Sequence, residues 1–172
     1  MRIGWIMAAA LAIASPAAAE VKSTSDSGFR LENRVTVAAT PEEAWQALGE
    51  IGRWWSSAHT YSGDALNITM PLRPGACFCE ALPGGGVEHG RVILVWPEHR
   101  MLRVEAALGP LQDEGIAAVL SFHVKPAPGG AQIVQTYNVG GARPEMVKMA
   151  SGVDDVLAQQ LASYKTYVEA RP

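Results

Sequence analysis

The first clear pattern in the chain is an alternation of apolar and polar residues between positions 29 and 37, which predicts a half-buried strand. Directly after it, Thr40-Pro41-Glu42-Glu43 combines an N-cap residue, a proline at the first helical position and acidic residues, which predicts the start of a helix. Trp54 and Trp55 follow in a predicted second short helix. Further strands, separated by turns that contain Pro or Gly, are predicted near residues 65–70, 76–82, 87–96, 101–106, 116–124 and 132–139.

The carboxyl-terminal part of the chain predicts one long helix over residues 152–170. Its apolar residues recur at spacings of three and four and so form a single stripe: Val153, Val156, Leu157, Leu161, Tyr164 and Val168. The order of strand, two short helices, six strands and long helix predicts an α+β fold with a seven-stranded antiparallel sheet. A curved antiparallel sheet has to cover its apolar face, and the terminal helix is the element available to do so.

Several local motifs resemble those of a known superfamily. Residues 90–103 form an apolar strand, a Pro-Glu-His turn and a second strand, and they occur together with Trp54-Trp55 and with the segment 71–78. On these motifs the chain resembles the SRPBCC superfamily of START-like proteins, in its polyketide-cyclase-like branch named after the activators of the Hsp90 ATPase. The resemblance implies a helix-grip fold, in which the sheet wraps around the carboxyl-terminal helix next to a cavity. Relatives often have tryptophan after the glycine that corresponds to Gly152, where this chain has valine, and none of the motifs specifies a reaction.

The amino terminus has the pattern of a secretory signal peptide. Arg2 provides a positive charge, residues 3–14 form an apolar run, and Ala17-Ala18-Ala19 provides a small-x-small cleavage site. Because the run is shorter than the roughly 20 residues of a membrane span, cleavage after Ala19 is predicted, with an uncleaved anchor as the alternative. The expected organisation is a signal peptide over residues 1–19, a flexible lead-in over 20–28 and a START-like domain over 29–172. Such a protein would work in the periplasm or outside the cell, with no stable membrane span after cleavage.

Composition and motifs argue against several classes of function. The chain has 17 acidic and 14 basic residues, a net charge of −3, and no basic stripe, so no nucleic-acid partner is predicted. Its four histidines include no His-x-x-x-His pair, and no nucleophile elbow, P-loop or dinucleotide fingerprint occurs. His89 follows Glu88, but neighbours on a strand point to opposite faces and so do not form a ready acid–base pair. No catalytic residue, metal site or cofactor is therefore predicted.

Cys77 and Cys79 are separated by a single residue on a predicted strand. On a regular strand their side chains share a face, but their Cα atoms would lie about 6.5 Å apart, near the upper limit for a disulfide. A disulfide would therefore need a distorted strand. The pair is interpreted as two small buried apolar residues, and a disulfide, which an oxidising compartment would permit, is the open alternative.

Candidate ligand contacts are the aromatic residues expected around the interior and the polar residues that interrupt its apolar faces. Small-molecule pockets are mostly apolar, with a few polar groups that fix the orientation of the ligand. The cavity candidates are Asn33, Trp54, Trp55, Tyr61, Trp96, Phe122, His123, Gln135, Tyr137, Gln160 and Tyr164. For each of them a purely structural role is the alternative, because a buried polar group can be satisfied by the protein itself.

Three classes of function remain open. The first is an exported protein that sequesters a hydrophobic or amphipathic small molecule, such as a lipid-like compound, in the cavity between the sheet and the terminal helix. The second is a cavity-based enzyme of the cyclase or hydratase type. The third is a partner-binding protein like the chaperone ATPase activators, against which the predicted export argues because that chaperone partner is cytosolic.

Overall fold

Eight strands form one antiparallel sheet in the computed structural model, which describes residues 18–171. The strands are β1 (Ala18–Ser25), β2 (Gly28–Val37), β3 (Ile68–Thr69), β4 (Cys77–Leu82), β5 (Gly85–Trp96), β6 (Met101–Glu105), β7 (Ala117–Ala127) and β8 (Gly130–Gly140). Their order in the sheet is β1-β2-β8-β7-β6-β5-β4-β3, and every neighbouring pair is antiparallel. The pairing of β2 with β8 places an early strand directly beside the last strand of the sheet.

Within residues 18–171, three α-helices and several 3-10 turns accompany the sheet. The helices are α1 (Pro41–Leu48), α2 (Pro144–Val147) and α3 (Ala150–Glu169). The 3-10 turns are Ile51–Arg53, Ser57–His59, Ala65–Asn67, Pro97–His99 and Gly109–Glu114. The start of α1 is a capping box, in which Thr40 Oγ1 accepts from the backbone N–H of Glu43 at 3.2 Å and Thr40 N donates to the Glu43 carboxylate at 2.8 Å.

The core lies between the inner face of the sheet and the helices α1 and α3. Along β2 the inward residues Leu31, Val35 and Val37 are buried, as the alternation predicts. The α3 stripe is buried at Leu157, Leu161, Tyr164 and Val168, and the helix packs on β2 and β1. The stripe residues Val153 and Val156 are only partly buried, because they line a cavity near the amino end of α3.

The predicted α+β fold with an antiparallel sheet and a long carboxyl-terminal helix is confirmed, with local differences. The sheet has eight strands, since β1 occupies residues predicted as a flexible lead-in. The prediction of a flexible lead-in was wrong because β1 is an edge strand that backbone hydrogen bonds to β2 hold in place. Its side chains from Val21 onward are exposed, so no alternation of apolar and polar residues marks it in the sequence. The strand predicted over residues 65–70 is mostly a 3-10 turn, and only Ile68–Thr69 pairs. Trp54 and Trp55 follow a 3-10 turn instead of lying within a second helix.

The predicted signal peptide lies outside the described residues, except for the backbone of its last two positions. Within residues 18–171, no helix is both long and apolar enough to span a bilayer.

Candidate ligand-binding site

A cavity of about 570 Å³ opens between the sheet and the amino end of α3. Three connections and the strand β5, which contributes His89, form its walls. The three connections are the segment after α1, the connection after β6 and the junction of α2 with α3. The lining residues are Trp55, His59, Thr60, Tyr61, His89, Leu108, Gly109, Pro110, Lys148, Met149, Ser151, Gly152, Val153, Val156 and Leu157. The lining is therefore mostly apolar, with a small set of polar groups.

Two buried polar side chains hold these walls in place. Gln160 of α3 is fully buried, and its Oε1 accepts from the backbone N–H of Ser56 at 2.7 Å, which fixes the segment next to Trp55. Tyr137 of β8 donates its hydroxyl to the carbonyl of Ala106 at 2.9 Å and accepts from the N–H of Leu108 at 3.1 Å. Burial raises the pKa of Tyr137 to about 12, so the hydroxyl stays a donor at neutral pH. Both residues were predicted as ligand contacts, but they support the walls instead of lining the cavity.

A β-bulge brings His89 to the cavity. In the pairing of β4 with β5, Phe78 lies opposite Gly90 and Cys79 lies opposite Glu88, so His89 is the extra residue. Gly90 permits this close approach of β5 to β6, because a Cβ atom there would lie 2.4 Å from the carbonyl oxygen of Glu105. As a result His89 points inward and is buried, while Glu88 remains exposed.

His89 pairs with the buried carboxylate of Glu80 on the neighbouring strand. Its Nε2 lies 2.9 Å from Glu80 Oε2, and Glu80 also accepts from the backbone N–H groups of Tyr61, at 3.1 Å, and Ser62. Burial raises the pKa of Glu80, but hydrogen bonds from Ser62, Tyr61 and His89 outweigh this effect and lower the pKa to about 2. The carboxylate is therefore ionised at neutral pH and can only accept, so Nε2 of His89 carries the hydrogen.

The second nitrogen of His89, Nδ1, has no hydrogen-bond partner within residues 18–171. The ring packs between Tyr61 and Phe78, with centroid distances of 5.9 and 5.1 Å. Since His89 lines the cavity, the Glu80–His89 pair presents one oriented, unpartnered imidazole nitrogen where a ligand can reach it. A carboxylate that fixes the tautomer and orientation of a histidine is an arrangement used for hydrogen bonding and for proton transfer.

The aromatic candidates separate into lining and core residues. Trp55 and Tyr61 line the cavity, as predicted, and Trp55 is fixed by a hydrogen bond from Nε1 to the carbonyl of His59 at 3.1 Å. Trp54, Phe122 and Tyr164 instead form a packed core cluster, in which the Trp54 ring contacts the other two edge-on at 6.3 and 5.3 Å. Their expected place in the cavity lining was wrong because the interior beneath the middle of α3 is filled by these rings.

Asn33 and Gln135 form a polar link between the sheet and α3. They lie opposite each other on β2 and β8, and Asn33 Nδ2 donates to Gln135 Oε1 at 3.5 Å and to Asp154 Oδ1 at 3.1 Å. Neither residue lines the cavity, so the structural alternative considered for them fits their surroundings.

Trp96 and His123 lie away from the cavity. Trp96, at the end of β5, is 47% exposed. Its ring contacts the ring of His99 edge to face, with 4.1 Å between the ring centroids. His123 lies on the outer face of β7, in a second depression of about 510 Å³. The expectation that His123 faces the cavity was wrong, because its neighbour Phe122 points inward and side chains alternate along a strand.

Cys77 and Cys79 are joined by a disulfide, with their Cα atoms 5.2 Å apart. Their Cα atoms are closer than the about 6.5 Å of a regular strand, and the register of β4 against β5 shifts between Phe78 and Cys79. The sulfurs and a Glu88 carboxylate oxygen lie within 4.8 Å of one another. Because both sulfurs are bonded to each other, they offer no thiolate to a metal ion. The preferred interpretation of two separate apolar residues was wrong, and the disulfide alternative describes the structure.

Sequence reasoning missed the polar members of the site. Glu80 was not considered, and His89 was paired only with its sequence neighbour Glu88, because regular alternation was assumed. The signal that indicates the bulge is Gly90 in the interior of the predicted strand, since a glycine inside a strand often marks a bulge or a close backbone approach. No sequence pattern pointed to Lys148 or to the lining residues around it, because these residues lie in connections and at the start of a helix.

The family model described as polyketide cyclase / dehydrase and lipid transport matches residues 28–169. The chain belongs to this family. The predicted resemblance to the SRPBCC superfamily and its polyketide-cyclase-like proteins is thereby confirmed. A comparison with curated proteins found no significant match.

Solved structures share the fold of this polyketide cyclase family member at low sequence identity. A protein from Rhodobacter sphaeroides is 23% identical, with a TM-score of 0.63 over 90% of this chain and 100% of that one. The Aha1 dimer structure from Colwellia psychrerythraea is 19% identical, with a TM-score of 0.59 over 82% and 96%. A norcoclaurine synthase point mutant from Thalictrum flavum, solved with a transition-state analogue, is 19% identical, with a TM-score of 0.55 over 85% and 97%. At these identities the comparison establishes the fold alone.

Proposed function

We propose that the protein binds a hydrophobic or amphipathic small molecule in the cavity between the sheet and α3. The observation that carries the proposal is the cavity itself, whose volume of about 570 Å³ lies within the range of small-molecule sites. Its walls combine apolar side chains such as Trp55 and Leu157 with a few polar groups. Burial of an apolar ligand surface contributes roughly 25 cal/mol per Å² before ordering and association costs are subtracted.

The place of action that we propose is outside the cytoplasm, in the periplasm or beyond it. Support comes from the signal-peptide pattern of residues 1–19 and from the Cys77–Cys79 disulfide, which suits an oxidising compartment. Cleavage after Ala19 would leave the part of β1 that begins with the pairing of Glu20 and Glu32. Amino-terminal sequencing of the protein recovered from a periplasmic fraction tests this part of the proposal.

Filling the cavity tests the binding proposal. Gly152 lines the cavity, and a Cβ atom there meets nothing within 4 Å, so Gly152→Phe starts its side chain without a clash and is expected to place its ring in the cavity. The matched control is Ala162→Phe, on the exposed face of α3. Native mass spectrometry after mild purification is expected to show a bound small molecule in the wild type and in the control, but not in Gly152→Phe. A bound molecule that is retained equally by Gly152→Phe would contradict binding in this cavity.

A second function, acid–base catalysis on the bound molecule, is favoured by one observation, the Glu80–His89 pair. Proton transfer needs a positioned group whose free nitrogen reaches the ligand, and Nδ1 of His89 meets that description. His89→Gln can keep a hydrogen bond to Glu80 but has no titrating nitrogen. If the protein is an enzyme, the co-purified molecule is converted by the wild type and bound unchanged by His89→Gln. Equal conversion by both proteins would exclude His89 as the acid–base group.

A further inference from the structure

Among residues 18–171, the one formally charged side chain that lines the cavity is a lysine, Lys148. The whole chain is acidic, with 17 acidic and 14 basic residues. The lining residues that the structure describes nevertheless include no Asp or Glu, and their other ionisable side chains are His59, His89 and Tyr61. Nζ of Lys148 forms no salt bridge with any other described residue, so its charge is available to a ligand.

The buried carboxylate that pairs with His89 is already occupied. Glu80 lies behind His89 and accepts from two backbone N–H groups and from the imidazole, so its negative charge is surrounded by donors. His89 itself is 7% exposed and lines the cavity with Nδ1 unpartnered among residues 18–171. The amino end of α3, which carries the positive end of the helix dipole, contributes Ser151 and Gly152 to the same lining. Lys148 and the amino end of α3 therefore favour a negatively charged group, whereas Nδ1 of His89, whose Nε2–H is directed at Glu80, can accept a hydrogen bond from a ligand.

We propose that the ligand is an organic anion, with an apolar body in the cavity, one acidic group, such as a carboxylate, received by Lys148, and a hydrogen-bond donor, such as a hydroxyl, bound by Nδ1 of His89. This proposal rests on the proposed binding function and specifies its ligand class. The apolar body contacts Trp55, Leu108 and Val156, while the acidic group lies where Lys148 can donate to it and the donor group of the ligand lies opposite Nδ1 of His89.

Two fluorescent probes that differ by one charged group test the proposal. 8-Anilinonaphthalene-1-sulfonate and N-phenyl-1-naphthylamine share an apolar body, and only the first carries a negative charge. Both are titrated into the wild type, into Lys148→Met, which keeps the apolar stem but removes the charge, and into Lys125→Met. Lys125 is exposed on β7 and outside the cavity lining, so it serves as the matched control. Gly152→Phe reports whether each probe binds inside the cavity.

We expect Lys148→Met to weaken binding of the sulfonate probe about threefold to fivefold relative to the neutral probe, as for a partly exposed ion pair. Lys125→Met is expected to leave the ratio of the two dissociation constants unchanged, and added salt is expected to weaken only the anionic probe. An unchanged ratio in Lys148→Met, with both probes still excluded by Gly152→Phe, would overturn the anionic ligand and leave the binding function standing. If neither probe binds the wild type, or both bind Gly152→Phe equally well, the binding function itself is overturned, and this proposal with it.

Discussion

Replacement of Glu80 by glutamine should weaken folding in a way that depends on pH. Glu80 is 1% exposed, and its carboxylate accepts from the backbone of Tyr61 and Ser62 and from the ring of His89. These bonds lower its pKa from the ordinary value of 4.5 to about 2. A carboxyl whose pKa is lower in the folded protein stabilises the fold above the unfolded pKa, and that stabilisation is lost as the pH falls toward the folded pKa.

The size of the effect follows from the two pKa values. With values of 4.5 and about 2, the ionised carboxylate stabilises the fold by about 3 kcal/mol at pH 7 and by about 1 kcal/mol at pH 3. Glu80→Gln keeps the shape of the side chain but has no charge at any pH. Its free energy of unfolding is therefore expected to be about 3 kcal/mol below that of the wild type at pH 7, and the difference should narrow between pH 4.5 and pH 2.

Urea unfolding followed by tryptophan fluorescence, at pH 7, 5, 4 and 3, measures this difference. The matched control is Glu88→Gln on the adjacent strand, where the carboxylate is 46% exposed and pairs with Arg91 at the surface. An exposed ion pair contributes only about 0.5 kcal/mol, so the control should unfold almost like the wild type. The reasoning is refuted if the Glu80→Gln difference is the same at pH 7 and pH 3, or if it is no larger than that of the control.

Three further substitutions test the supports of the cavity. Tyr137→Phe leaves the carbonyl and the N–H that the hydroxyl bridges unsatisfied, so thermal unfolding should show a loss of about 1–2 kcal/mol, and an unchanged Tm would contradict this role. Gly90→Ala places a Cβ 2.4 Å from a backbone oxygen, so the same thermal unfolding assay should show a loss of about 2 kcal/mol or more in the free energy of unfolding. Gly140→Ala is the control, because its Cβ would lie in open space and should leave the free energy of unfolding nearly unchanged. Equal effects of the two substitutions would argue against the close approach at Gly90. Replacing Cys77 and Cys79 by serine opens a three-residue loop and should lower the free energy of unfolding by about 1.6 kcal/mol. Thiol titration of the oxidised wild type should detect no free thiol. Two reactive thiols would refute the disulfide.

Elements with a regular pattern could be predicted from the sequence. Thr40 and Glu43 mark the start of α1 because capping depends only on residues within one turn, and the apolar stripe through Leu157 and Leu161 marks α3 because burial follows the helical period. β1 could not be predicted, because an exposed edge strand is held by backbone hydrogen bonds, and the backbone groups that form them are common to nearly all residues.

The candidate site was less accessible to sequence reasoning than the fold. Trp55 and Tyr61 were found because large aromatic residues are common in pockets, but Trp54 and Phe122 share that property and belong to the core. The partnership of Glu80 with His89 depends on the register of β4 against β5 and on one extra residue, neither of which periodicity reports. A one-residue change of register exchanges the two faces of a strand. The inward position of His89 therefore depends on the bulge, which the alternation of apolar and polar residues does not predict.

Three walls of the cavity are connections, and two of these connections are each fastened to the framework by one buried side chain, Gln160 or Tyr137. The strands, by contrast, are held by a continuous ladder of backbone bonds that does not involve the lining residues of these connections. Connections tolerate replacement better than the elements that they join. Evolution or design could therefore exchange one wall for another of different length and composition, and obtain a new ligand preference on an unaltered sheet.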